Sequence, residues 1–542
     1  NSSMTNYTLL NENTLNYTKK FGKHSINALA GFTQERTNIR SQYTSVNGFT
    51  NDLLAYYSMQ AGTVYNAPIT NYSSTKLNSF LGRVNYTLAD KYLFTVSMRA
   101  DGSSRFGKDN KWGYFPSAAL GWRVDQEDFM QSLPFVSNLK LRTSYGLTGN
   151  QGILPYQSLG QLGPIMGTLD GSTVSIGYQN MIMENPELKW ETTRQFDMGI
   201  DIGLWKDKVS FSADYYNRNT RDLLQQILLP GSTGYVFQQQ NLGAITNKGI
   251  ELQLNAVLID KKLKWDISAN YSRNVNRITD LGDAQMVPGR WVISYDFYPF
   301  KMKVGQPLGN IYGYQTNGIL TSQKDVDEAP VQDNRFIGEY RLVDQNGDGS
   351  VVNDGSDEVL LGSTNPDFSF GFTNNFTYKN FDLSMLVYGS IGQDKINMNL
   401  VYGSRMVGSW NSYKDVYNNA FRPEVKDAAG NIVQAGNPNG EWNMAGSLGT
   451  RTRNVVIDKW VEDASFVKLG NITLGYSYPK AIGFIKKLHV YGSVSNVLTI
   501  TGYKYGYDPE ASMYGQDPTR RGVDFGMYPP ARTFKFGLDL TF

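Results

Sequence analysis

The clearest chemical pattern in the chain is Asp344-Gln345-Asn346-Gly347-Asp348-Gly349-Ser350. Side-chain oxygens recur at alternate positions, and a glycine stands sixth. Oxygens at the first, third and fifth positions of such a loop converge on one side, and glycine at the sixth permits the sharp turn. That arrangement suits a hard divalent cation such as Ca2+. Ser350, the seventh residue, would add its backbone carbonyl. The acidic residue expected at the twelfth position is absent; Gly355 stands there, between Asp354 and Asp357. The sequence therefore predicts a structural Ca2+ loop of Asp344, Asn346, Asp348 and Ser350, closed in a shifted geometry by Asp354 and Asp357. A metal-free Asx turn uses the same residues. Either role pins a loop and performs no catalysis.

Catalytic patterns are thin. The chain has 2 histidines, His24 and His489, and a nucleophile needs a base within reach. His489 lies in an alternating stretch among polar residues, which reads as a wall position. Asp197 and Asp201 share one strand face with Gly199 between them, and nothing nearby signals a pocket for acid–base work. Gly146, Gly149 and Gly152 have a nucleotide-like spacing but no βαβ context. Asn-x-Ser/Thr triplets such as Asn6-Tyr7-Thr8 are expected by chance. The chain is not expected to be an enzyme. It has no cysteine, so disulfides and thiolate metal sites are excluded. A net charge of +2 implies no nucleic-acid partner.

The elements that must carry these residues are strands of period two. In the last nine residues, Phe534, Phe536, Leu538, Leu540 and Phe542 point one way, and Lys535, Gly537, Asp539 and Thr541 the other. The same alternation runs through Phe196–Ile202, Ile250–Ala256, Trp265–Tyr271, Phe381–Val387 and Leu488–Val494, with Leu386 the apolar exception. Further strands are expected from near Ile26, Phe80, Tyr92, Ser117, Leu139, Val209, Phe370 and Val467. A soluble β-sandwich alternates too. These strands, however, exceed the usual length of about 5–6 residues, and their apolar faces carry aromatic residues near the ends. About 9–11 tilted residues with one greasy face cross an outer membrane. No stretch approaches the roughly 18 consecutive apolar residues of a membrane helix. Mean hydropathy is −0.40, with 35 Tyr and 54 Gly, as expected when half of each strand faces water. The fold class predicted is all-β: a transmembrane antiparallel β-barrel.

Connections alternate in length. Short, often Lys-bearing turns fall at Lys19–Lys23, Ala89–Lys91, Trp205–Lys208, Asp260–Lys262 and Tyr378–Asn380, with a longer member at Pro479–Lys487. Long connections fall near Gln42–Thr75, Asn150–Pro186, Asn219–Asn247, Asn274–Pro366, Gly392–Ala464 and Tyr503–Ala531. Short periplasmic turns and long extracellular loops are the outer-membrane pattern. About fifteen strands are expected, an odd number where single-chain bacterial barrels are even. The chain opens on Asn1-Ser2-Ser3-Met4 without a signal segment. Both observations predict the carboxyl-terminal part of a longer protein.

Several segments resemble the SusC/RagA family of TonB-dependent outer-membrane transporters of Bacteroidota. They are Arg99–Gly107, Tyr114–Ala119, Leu141–Gly146, Gly149–Gly152, Asn185–Glu191, Asn247–Glu251, Asp463–Asn471, Ser495–Thr499 and Gly506–Glu510, in the family's order. The resemblance implies a twenty-two-stranded barrel around an amino-terminal plug, of which these would be the last fifteen strands; the plug and TonB box are not in this chain. It implies import of oligosaccharides or peptides, a SusD-like lipoprotein lid, energy from TonB, and a similar Asp-rich loop near Asp344. The long loops would form the ligand chamber. Trp291, Tyr295, Tyr298, Trp410 and Trp442 lie in them and are candidates to stack on ligand or dock a partner, with packing of loop against loop expected ahead of either because such rings are large apolar payloads. A SusC-like barrel working as a scaffold without transport is the competing expectation. An upstream plug would favour import, and a lumen filled by its own loops would favour the scaffold. A passive porin of this width would leak without a plug.

Overall fold

The computed structural model describes residues 2–51, 53, 57–168, 171, 173–284, 286–288, 298–333, 335–404, 406, 411–445, 456–515, 517 and 519–542, with backbone alone for 286–288. Its main feature is a 15-stranded antiparallel sheet in which each strand pairs with its neighbour in sequence. The strands are β1 (Ser2–Phe21), β2 (His24–Tyr43), β3 (Ile69–Leu88), β4 (Tyr92–Ser103) and β5 (Trp112–Arg123). They continue with β6 (Val136–Asn150), β7 (Glu191–Leu204), β8 (Val209–Arg221), β9 (Ala244–Asp260) and β10 (Leu263–Asp280). The series ends with β11 (Phe368–Tyr378), β12 (Phe381–Ile391), β13 (Phe466–Tyr478), β14 (Lys487–Thr501) and β15 (Thr533–Thr541). The expected strand count holds.

The chain divides into two compact units, residues 1–134, 138–200 and 216–246, and residues 135–137, 201–215 and 247–542. In the second unit the period-two pattern becomes two faces. Leu383 stands between Phe376 and Leu474, and Val490 between Tyr476 and Leu538. Among the exposed side chains on this face are Leu474, Val490, Phe536 and Leu538. On the opposite face Ser384 stands between Asn375 and Thr473, which faces Ser493. That face is laced by hydrogen bonds, such as Asn471 Nδ2 to Ser493 Oγ at 3.0 Å and Asn375 Nδ2 to Asp266 Oδ2 at 2.9 Å. The first unit shows the same division. Phe80, Val84, Phe94, Val96 and Leu120 are exposed on one face, while Ser97 and Ser117 share a hydrogen bond of 2.7 Å on the other.

The short turns are tight. Ala89 and Asp90 both adopt positive φ, at 54° and 58°, the twist that suits a two-residue hairpin turn. Three adjustments to the expected connections appear. β2 and β3 pair over 20 residues, so their loop shrinks to residues 44–68. The outer halves of these strands are rich in Asn, Ser, Thr and Tyr and give no greasy alternation. The connection 104–111 is short, although it lies at the long-loop end. The turn between β5 and β6 is longer than its peers and holds two 3-10 turns, Val124–Gln126 and Asp128–Ser132.

The long connections of the second unit are folded. Residues from 281–367, 392–465 and 502–532 share one hydrophobic core that includes Ile311, Tyr314, Ile396, Met398, Val416, Ile457, Trp460 and Val523. In the first unit a smaller core gathers Phe106, Phe115, Ile153, Leu188 and Trp190.

Candidate functional site: the loop layer and its anchors

The Asp344 loop forms as a tight, exposed turn. The Asp344 carboxylate accepts the amides of Gly347 and Gly349, each at 2.7 Å. Asn346 Oδ1 accepts the Asp348 amide at 2.8 Å, and Asp348 Oδ1 accepts the Ser350 amide at 2.8 Å. Gly347 and Gly349 adopt φ of 78° and 84°, conformations that side chains resist. The Gly349 amide, foremost, holds the Asp344 carboxyl below its ordinary range. Asp354 accepts the amide and hydroxyl of Ser356 at 2.8 and 2.6 Å, and that hydroxyl chiefly lowers its pKa. Asp357 is fully buried. It accepts the amides of Gln345 and Asn346 at 2.9 and 3.3 Å and so staples the start of the loop. Asp354 and Asp357 therefore engage their own local donors. Among the described residues no three acidic or imidazole side chains gather as a metal-holding group.

Of the loop aromatics, Trp291, Tyr295 and Trp410 lie outside the described residues. Tyr298 is exposed. Trp442 is only 9% exposed, in keeping with the packing role expected ahead of stacking. It packs edge-on against Tyr505 at 6.1 Å, with the Lys459 ammonium 5.5 Å from its ring centroid. Its large apolar area holds loop to loop.

The weaker motifs resolve as wall chemistry. His489 Nε2 lies 2.9 Å from Asp382 Oδ1 on β12, reached across Gly475 of the intervening β13, and Nδ1 lies 3.4 Å from Asp539 Oδ2 on the adjacent β15. Asp197 accepts Gln195 and Ser144, and Asp201 accepts Ser212. Gly146 and Gly149 lie on β6. A Cβ at Gly149 would stand 2.1 Å from the Phe115 ring, so that glycine makes room for the small core. A cavity of about 450 Å³ opens in the first unit, lined by Asn85, Thr95, Lys140, Arg142, Ser144 and Asp197 among others.

Sequence reading missed how its own motifs meet. In the first unit Arg105 Nη1 donates to the carbonyls of Gln151 and Ile153, and Phe106 packs on Trp190 at 5.0 Å. Trp190 Nε1 donates to the Lys111 carbonyl at 2.9 Å, and Glu191 accepts Asn150 at 3.0 Å. A Cβ on Gly107 would fall 1.7 Å from the Pro186 carbonyl oxygen. Segments far apart in sequence thus close one knot at the loop ends of β4 to β7. In the second unit Lys468 joins the Asp463–Asn471 and Gly506–Glu510 segments: its ammonium lies 2.7 Å from Asp508 and 2.6 Å from Glu510. The spacing of the motifs could not reveal either contact, although an apolar strand bearing one lysine was a signal for the second.

A family profile described as TonB dependent receptor-like, beta-barrel matches residues 1–497. The chain belongs to the TonB-dependent receptor β-barrel family. Among its relatives, TonB-dependent receptor P3 of Formosa agariphila is 32% identical over 549 residues, covering 98% of this chain and 52% of that protein. TonB-dependent receptor SusC of Bacteroides thetaiotaomicron is 32% identical over 493 residues, covering 86% of this chain and 44% of that protein. The solved structure of the RagAB peptide transporter matches with a TM-score of 0.81 at 24% identity, covering 100% of this chain and 56% of that one. The chain spans about half the length of the curated relatives it matches. As a TonB-dependent receptor barrel of SusC/RagA type it is an outer-membrane protein. The apolar faces of its strands therefore meet lipid, and the hydrogen-bonded polar faces meet the lumen.

Proposed function

We propose that this chain is the carboxyl-terminal barrel portion of an importer that takes up oligosaccharides or peptides. In this reading a SusD-like surface lipoprotein covers the long loops, and TonB drives release through a plug preceding the barrel. The observation that carries it is the folded loop layer on a barrel of SusC/RagA type: three long connections spend their apolar residues on one shared core. Structureless loops of this length are uncommon in compact domains, and ordered ones usually serve function. An ordered rim supplies a fixed surface for a lid and a ligand. Catalysis has no place in this reading.

The test is uptake by cells of the source organism carrying or lacking the gene, with fluorescent oligosaccharides and fluorescent peptides as probes. Import predicts that one probe class accumulates only when both the gene and TonB are present, and that a surface lipoprotein co-purifies with the barrel. Equal uptake of every probe in deletion and parent cells would overturn it. A barrel that captures partners without moving any probe would leave the scaffold reading.

We carry Ca2+ binding by the 344–357 loop as a second proposal. It is supported by the alternating oxygens of Asp344, Asn346 and Asp348 and by the glycine turns between them. An ion would rely on Asn346 and backbone carbonyls beside the carboxylates, and its chemistry would be structural. The expected outcome is that Ca2+ raises the loop layer's resistance to proteolysis and that Asp348→Asn abolishes the gain. Identical resistance in Ca2+ and in chelator would leave a metal-free Asx turn.

A further inference from the structure

We propose that the last long loop, residues 502–532, is latched by two buried lysines, Lys468 on the barrel wall and Lys395 in the loop layer, and is a fixed part of that layer. The latch is built on one turn. Asp508-Pro509-Glu510-Ala511 closes with the Ala511 amide on the Asp508 carbonyl at 3.0 Å. The Glu510 amide donates to Asp508 Oδ1 at 2.7 Å. Aspartate at the first position and proline at the second are residues that such a turn favours. The turn presents the carboxylates of Asp508 and Glu510 to the same ammonium.

That ammonium is Lys468, on β13, whose residue faces Tyr388 of β12 and Thr499 of β14. Lys468 Nζ donates to both oxygens of Asp508 at 2.9 and 2.7 Å and to Glu510 Oε2 at 2.6 Å. These three bonds use every proton an ammonium carries. The Tyr388 hydroxyl adds a bond to Glu510 Oε2 at 3.0 Å. The side chains of Lys468 and Asp508 are 4% and 8% exposed, and that of Glu510 is 44% exposed.

A second lysine grips the far side of the turn. Lys395 Nζ donates to the Ala511 carbonyl, and Lys395 is buried. Its strand, Asp394–Asn397, pairs antiparallel with Val461–Asp463 and parallel with Val523–Asp524. The loop is thus held at its entry by the turn and near its exit by a strand. Lys468, Asp508 and Lys395 are removed from water, and the fully buried Asp524 adds its charge to those of Asp508 and Glu510 around Lys395. Losing one partner strands the others without compensation, and for that reason buried ion pairs are costly to break.

The test is tryptic cleavage within 502–532, whose basic residues are Lys504, Arg520, Arg521 and Arg532, on intact cells carrying the full-length protein. Lys468→Met is expected to raise the cleavage rate at least about tenfold, because local opening sets that rate. Lys468→Arg is expected to stay nearer the parent. Heat-modifiable migration on gels reports whether the barrel itself has folded. Should Lys468→Met fail to insert, the Asp508→Asn/Glu510→Gln pair tests the same contact from the loop side with the wall strand untouched. Cleavage at the parent rate in a folded variant would overturn the latch. A parent rate that changes severalfold between energised and protonophore-treated cells would overturn the claim that the loop stays fixed.

Discussion

Val387 and Ser384 lie close together on β12 and face opposite ways. Val387 stands between Phe372 and Leu469, whereas Ser384 stands between Asn375 and Thr473. Arginine at a lipid-facing position near the midplane costs about 2–4 kcal/mol, and at a lumen-facing position far less. Val387→Arg is therefore expected to lower the unfolding temperature of the purified protein in lipid, and Ser384→Arg to leave it nearly unchanged. Equal temperatures would refute the register. The apolar exception in that strand lies at an irregularity of the pairing. Leu386 stands opposite Thr373 and Asn471, and the pairing with β13 slips there so that Val387 meets Leu469. Gly470 is passed over, and a Cβ at that glycine would stand 2.6 Å from the Tyr388 ring. Trp442 carries the opposite lesson. A tryptophan in a long loop reads first as a packing residue and second as a ligand contact, and its surroundings show the packing.

At the scale of elements, the longest of the periplasmic turns beside the Ala89–Lys91 hairpin depends on one carboxylate. Glu127, between β5 and β6, accepts Lys91 Nζ at 2.9 Å, the Tyr92 hydroxyl at 2.7 Å and Trp122 Nε1 at 3.0 Å. These donors, the lysine first, pull its pKa from an ordinary 4.5 down to about 2. A depressed carboxyl adds stability above its ordinary pKa and loses it as the pH falls through the folded value. Glu127→Gln is expected to unfold at lower temperature than the parent at pH 7, with the gap closing as the pH falls from about 5 towards 2. A gap that is constant across that range would rule out the ionised carboxylate as its source. The strands themselves were legible wherever one face is greasy. The outer reach of β2 and β3 was not, because a strand standing in water needs no apolar face and pairs through its backbone alone. The mirror case is the short connection 104–111, where family-like residues build a knot instead of a long loop.

For the whole molecule, the tryptophans report the layers. Trp122 is partly exposed, and Trp265, on the apolar face of β10, stacks on Phe376 at 5.4 Å. Trp190 and Trp460 are buried in the two loop-end cores. In proteoliposomes containing brominated lipid, a variant retaining only Trp265 is expected to be strongly quenched, and one retaining only Trp460 to be nearly unquenched. Similar quenching of both would contradict the division into a lipid-facing wall and a separate loop layer.

The wall was legible along the chain: about fifteen strands, the alternation of their faces, most of the short and long connections, and the family resemblance. Those are local properties, because period two and turn chemistry act over a few residues, and the bilayer sets the minimum length that each strand must span. What the long connections do emerges only in three dimensions. Lys468 meets residues 40 and 42 positions away, and Arg105 reaches a carbonyl 48 positions away. Contacts at such separations depend on how the strands bring loop ends together, and no spacing along the chain encodes that.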